Sequence, residues 1–112
     1  QYWFDIALGK SGINLSNTFN TDTNEIGARV YIGNKQAEEW FPYFESKKED
    51  IETHIGSKLA WNPNPNNKDK VITLTKHFDL EHKDNWELAI EWLTEESIKF
   101  KEAFKNAIKE KA

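Results

Sequence analysis

The final segment of the chain places Trp86, Ala89, Ile90, Leu93, Phe100, Phe104 and Ile108 at three- and four-residue intervals, a rhythm that only a helix turns into one apolar face. Asp84 is a plausible cap, and acids dominate the first half (Asp84, Glu87, Glu91, Glu95, Glu96), lysines the second (Lys99, Lys101, Lys105, Lys109, Lys111), as the helix macrodipole favours. If residues 84–111 are all helical, the rod is about 42 Å long. A compact chain of this length has a radius of gyration of roughly 13 Å, hence a diameter of about 34 Å if spherical. The helix is therefore expected to overhang. Phe100, Phe104 and Ile108 would then need cover from the first helix, another domain of the parent polypeptide or a second copy.

The rest of the chain supplies a sheet. Tyr2, Phe4, Ile6 and Leu8 alternate with Trp3, Asp5 and Ala7 up to the turn Gly9-Lys10-Ser11-Gly12. Ile13, Leu15 and Phe19 alternate with polar residues, Asn17 being out of pattern on the dry side, and Thr21-Asp22-Thr23-Asn24 reads as a second turn. Ile26, Ala28, Val30 and Ile32 give the cleanest period of two, so the first three strands form an antiparallel meander. Gly33-Asn34 starts a helix over residues 35–55 that Gly56 stops, with Pro42 expected to kink it or divide it in two. A short extended piece over residues 57–61 precedes the proline-rich run Asn62-Pro63-Asn64-Pro65-Asn66-Asn67, a loop, and Lys70 to Lys76 is a strand rich in β-branched residues. The expected fold class is α+β, a single domain over residues 1–112: an antiparallel sheet of about five strands packed on two long helices, in the order βββαββα.

Composition narrows the function classes. With 38% hydrophobic and 30% charged residues, the 112-residue chain has room for one core and no composition-driven disordered tail. Its formal charge of −4 opposes autonomous duplex binding. No apolar run approaches the roughly 20 residues that span a bilayer, and the start lacks a signal-peptide pattern, so no membrane partner is expected and a cytoplasmic location is. The absence of cysteine removes disulfides, thiol catalysis and Cys-based zinc sites. A chain that begins at Gln1 and enters a strand at once is expected to be a C-terminal fragment of a longer protein.

The chemical motifs are weak. Gly9-Lys10-Ser11 matches the end of a phosphate-binding P-loop, but Phe4 stands where its first glycine belongs and a strand follows instead of a helix. Glu45-Ser46-Lys47 has the Glu-x-Lys spacing of a Mg²⁺-dependent nuclease, yet sits on a helix without an acidic strand partner. His54, His77 and His82 have no helical i, i+4 pairing, and no Gly-x-Ser-x-Gly elbow is present. No catalytic residue, cofactor or metal ligand is assigned; a metal-dependent hydrolase is the least favoured reading. The strongest signal is aromatic, 15 Phe, Trp and Tyr residues, most of them expected in the core. Trp40 and Trp92 stand beside the apolar stripes, and with Tyr43 they are candidates for a contact surface.

Three strings together carry a resemblance: Trp3-Phe4-Asp5-Ile6-Ala7-Leu8-Gly9-Lys10-Ser11-Gly12, Glu49-Asp50-Ile51-Glu52 leading to Leu59-Ala60-Trp61, and Asp84-Asn85-Trp86 followed by Glu91-Trp92-Leu93. Over almost its whole length the chain resembles the prokaryotic domain of unknown function 4268. The resemblance implies a domain placed toward the C-terminus of bacterial and archaeal proteins, often behind a predicted restriction-endonuclease-like nuclease region; it implies no activity. Two departures stand out: members usually carry a further amphipathic helix ahead of the first strand, and Pro42 falls in a helix expected to be continuous. The expected function is that of a non-catalytic accessory domain of a nucleic-acid-processing or defence-related protein. It would dock onto the rest of its parent chain or a second copy through Trp40, Tyr43, Trp92, Phe100, Phe104 and Ile108. The alternative is direct DNA or RNA recognition by Lys10, Arg29 and the strand aromatics.

Overall fold

The computed structural model of the chain describes residues 2–62, 66 and 68–111, with residues 2–5 as backbone only. Strands β1 (Tyr2–Lys10), β2 (Ile13–Asn20) and β3 (Glu25–Ile32) form the expected meander. Helices α1 (Asn34–Ser46) and α2 (Lys48–Ile55) follow, then the two-residue β4 (Ala60–Trp61), β5 (Lys70–His77), a single 3₁₀ turn (Lys83–Asn85) and α3 (Trp86–Lys111). The sheet is antiparallel throughout, in the order β1-β2-β3-β5-β4. Of the proline-rich run, residues 63–65 and 67 lie outside the described residues.

The meander closes through residues suited to its turns. Gly9 (φ 90°) and Gly12 (φ 84°) adopt left-handed backbone at the first hairpin, where the register slips between Ala7 and Lys10. Asn24 (φ 54°) does so at the second, and also fastens the chain after β5: Leu80 N donates to its Oδ1 at 3.1 Å and Phe78 N to its carbonyl at 2.9 Å.

One helix is long, not two. Pro42 lies inside α1 and does not divide it; the break falls at Lys47 (φ −102°, ψ 12°). There the Ser46 hydroxyl donates to Tyr43 O at 2.5 Å and Lys47 N turns back to Phe44 O at 2.9 Å, so side chain and backbone both draw the terminal carbonyls out of the α pattern. Gly56, left-handed at φ 84°, ends α2 as expected, its N–H donating to Glu52 O at 2.8 Å. Asp84 does not cap α3: it sits in the 3₁₀ turn, and the helix starts at Trp86.

The alternate residues Ile13, Leu15, Ala28, Val30, Ile32 and Ile72 face the helices and form the main core with Ala37, Trp40, Phe44, Ile51, Ile55, Phe100, Ala103, Phe104 and Ala107. A smaller core of Phe19, Ile26, Leu80, Ala89 and Leu93 lies under the first half of α3. Between the two, Ser97 Oγ donates to Asn17 Oδ1 at 2.8 Å, which accounts for the polar residue on the dry side of β2.

The molecule is elongated, 44 × 28 × 22 Å. That shape removes the expected overhang, because a 26-residue helix is about 39 Å long and fits along the longest axis.

Candidate docking surface

The residues expected to be left bare on α3 are covered by the chain itself. Phe100 and Phe104 are fully buried, Phe104 meeting Phe44 edge-on at 5.2 Å and stacking on Phe100 at 5.9 Å, and Ile108 is half-buried against the same core. The expectation of an uncovered Phe100–Phe104–Ile108 flank is therefore corrected: α1 and α2 lie over it.

Trp40 is buried too, and with Tyr43 it holds down the end of α3. The Tyr43 hydroxyl donates to Ala107 O at 2.5 Å, its ring packs edge-on against Trp40 at 5.7 Å, and Lys111 lies 5.4 Å from both ring centres while pairing with Glu39 at 3.3 Å. Trp92 is half-buried beside Phe78, with the Lys76 ammonium 5.9 Å from its ring. Trp40, Tyr43 and Trp92 thus make their contacts within the chain.

Lys10 and Arg29 do not share a surface. The Lys10 ammonium lies 5.8 Å from the Trp40 ring, on the helix side, whereas Arg29 alternates with buried Ala28 and Val30 and so faces the side of the sheet that no core residue occupies. Its register neighbours there are Ser16 and Thr73, and the nearby Tyr31 hydroxyl donates to Asp69. That hydrogen bond, with burial and the Asp69 charge adding to it against Arg29, raises the Tyr31 pKa above its ordinary value. The side chain of Trp3 lies outside the described residues.

The polar groups singled out for chemistry are dispersed. His54 pairs with Glu102 at 3.2 Å and His82 with Asp79 at 3.4 Å; Glu45 is exposed on α1, and Lys47 of the Glu-x-Lys string pairs with Glu110 at 3.3 Å. Among the described residues no group of three or more His, Asp or Glu is placed to hold a metal ion. Glu52 has a fastening role. Burial opposes its ionisation, but Leu59 N donates to it at 2.8 Å and Trp61 Nε1 at 3.1 Å, and with Lys48 and Lys58 nearby they hold its carboxyl below the ordinary carboxylate range. It ties α2 to β4.

The exposed apolar surface is elsewhere on α3. Leu88, Ile90 and Ile98 are 56%, 55% and 55% exposed, although Ile90 belongs to the rhythm that predicts the core face. Three anchors orient the helix: Ser97 bonds β2, Trp92 meets Lys76 of β5, and Glu102 and Glu110 reach His54 of α2 and Lys47 beside it. With about 100° per residue, Ile90, Thr94, Ile98 and Lys101 fall on the flank away from these anchors, and all four are exposed. Leu88 lies on the other side. Nothing in the period marked Ile90 as surface; Ile98 carried a signal, standing off the apolar stripe.

Round the helix from this flank, on the side of Ala89, Ala103 and Ala107, α3 carries Glu96, only 6% exposed: Oε2 meets Lys99 Nζ at 3.1 Å, and among the described residues Oε1 has no hydrogen-bond partner. The sequence pattern defining the domain of unknown function DUF4268 matches residues 1–108. The chain belongs to the DUF4268 family. Neither a curated protein nor a solved structure matches it. The DUF4268 match spans both cores, all five strands and α3 as far as Ile108, so the flank described above is part of the family's own body.

Proposed function

We propose that this DUF4268 domain is a non-catalytic interaction module that docks through α3. The observation that carries this reading is the pair Ile90 and Ile98, each 55% exposed on one flank of the helix that holds both cores together. Single exposed aliphatics are ordinary on protein surfaces. Two on one i, i+4 ridge, eight residues or about two turns apart, with Thr94 between them returning its hydroxyl to Ile90 O at 2.9 Å, mark a strip with little polar demand. The family's usual company, as the sequence resemblance implies it, supports placing the module in a protein that processes nucleic acid or defends against it.

The test is site-specific photo-crosslinking in the protein as its own cell makes it, with a photoreactive residue replacing Ile98 in one strain and Glu49, exposed on α2, in another. A discrete adduct from position 98, with the same partner identified in replicates and none from position 49, is the expected result. Equal adduct patterns from both positions would remove the reading.

A further inference from the structure

The exposed face of α3 has a symmetry that its core face lacks. Counted from Thr94, Ile90 and Ile98 stand four residues to either side, and Glu87 and Lys101 seven to either side. At about 100° per residue these positions fall within an arc of about 80°, so they line one strip along the helix, and every one of them is exposed. Read from either end, the strip returns isoleucine for isoleucine and threonine for threonine, with the sign of the charge reversed.

These charges have no counterpart within the chain. Among the described residues the ion pairs of α3 engage Glu96, Lys99, Glu102, Glu110 and Lys111, not Glu87 or Lys101. Each of the two has instead a like charge four residues on, Glu91 after Glu87 and Lys105 after Lys101, a spacing that slightly opposes the helix. The macrodipole accounts for Glu87, in the first turn, but its effect is confined to the terminal turns and does not reach Lys101, ten residues before the end at Lys111. Acid at one end of the strip and base at the other thus call for neutralisation from outside the subunit.

A closed pair of identical subunits needs a surface complementary to itself, and a strip whose charge inverts end for end is one. Resting on the docking reading above, we propose that the partner of α3 is a second copy of this chain, lying antiparallel along the strip with the two-fold axis through Thr94. Each Ile90 then faces Ile98 of the other copy, the two Thr94 side chains meet on the axis, and each Glu87 faces Lys101 of the other copy, so four isoleucines lie between two pairs of opposite charges. A parallel pair would set Glu87 against Glu87 and Lys101 against Lys101, and an unrelated protein would impose no such symmetry on the strip. From Glu87 to Lys101 the strip is about 21 Å long and one helix wide, well below the area of a permanent interface, so the pairing is weak and depends on concentration.

Sedimentation equilibrium of the 112-residue chain at concentrations up to about 1 mM is expected to show monomers exchanging with dimers. Glu87→Lys and Lys101→Glu each put like charges together twice across the axis and should each weaken the dimer at least about tenfold. An equimolar mixture of the two variants restores both attractive pairs and is expected to form a heterodimer at least as tight as the original. Against a net charge of −4, both variants remain acidic, so general attraction does not produce that recovery, and mixing does not repair a folding defect. Thr94→Cys, in a chain without cysteine, is expected to form an intersubunit disulfide under mild oxidation much faster than Glu49→Cys on α2. The proposal is overturned by a purely monomeric chain over the whole concentration range, by absence of heterodimer in the mixture, or by equal cross-linking at positions 94 and 49. In the cell the adduct from position 98 is expected to join two copies of the same protein; an adduct to a different protein, with the isolated chain monomeric, would leave the docking reading standing and dismiss self-pairing alone.

Discussion

The two halves of α3 carry the same apolar rhythm and have different fates. In the second half Phe100, Ala103, Phe104 and Ala107 are all buried, sealed between the sheet and the α1–α2 pair. In the first half Ala89 and Leu93 close over a five-residue core, while Leu88, Ile90 and Ile98 remain more than half exposed. The difference lies in what covers the helix: α1 and α2 lie over its C-terminal half, whereas loop residues Phe78 and Leu80 are what reaches its beginning. A stripe in a sequence states how much surface wants burial; the neighbours decide how much receives it.

The contrast is first tested by cavity formation. Phe104→Ala, under the double cover, is expected to cost about 3–5 kcal/mol, and Leu93→Ala, in the small core and 7% exposed, about 2–3 kcal/mol, as measured by urea unfolding. Equal losses, or the reverse order, would break the comparison. Removing the polar seam between the cores is smaller: Ser97→Ala leaves Asn17 Oδ1 without its donor and should cost about 1–3 kcal/mol in the same assay.

Acidity sharpens the contrast. The folded-state pKa of Glu52 lies below its ordinary value, so the stability it contributes is fully present above the ordinary carboxylate range and is lost as pH falls through the lowered value. Glu52→Gln is expected to destabilise by about 1 kcal/mol at neutral pH and to flatten this part of the acid limb. Hydrogen exchange should place the loss around α2 and the second half of α3; a loss centred on Leu80 and Leu93 would contradict the assignment of Glu52 to the large core. The smallest effect belongs to the bare flank, where Ile90→Ser and Ile98→Ser should each change stability by no more than about 0.5 kcal/mol.

Much of the architecture was legible because its signals are local. The strict alternation of Ile26, Ala28, Val30 and Ile32, the turn residues at Gly9 to Gly12 and the stop at Gly56 each act over a few residues, and the meander and the end of α2 followed from them. The break at Lys47 was hidden behind Pro42, whose missing donor is the louder signal, while the break is marked by the Ser46 hydroxyl and Lys47 N–H turning back to Tyr43 and Phe44. The surface of α3 was misjudged because a spherical outline was assumed for a molecule 44 Å long, and because burial of Phe104 depends on Phe44, 60 positions away in sequence. The separation of Lys10 from Arg29 was legible in the spacing: Lys10 continues the face of Ile6 and Leu8, which the helices cover, whereas Arg29 alternates with buried Ala28 and Val30.

The most direct measurement is fluorine NMR of the chain, labelled with 4-fluorophenylalanine at Phe100 or Phe104 or with a fluorinated side chain in place of Ile98, compared in H₂O and D₂O at a concentration where it sediments as a monomer. The account requires a negligible solvent isotope shift at Phe100 and Phe104 and a large one at position 98. A shift at Phe104 close to that at position 98 would show the second half of α3 open to water and would contradict it.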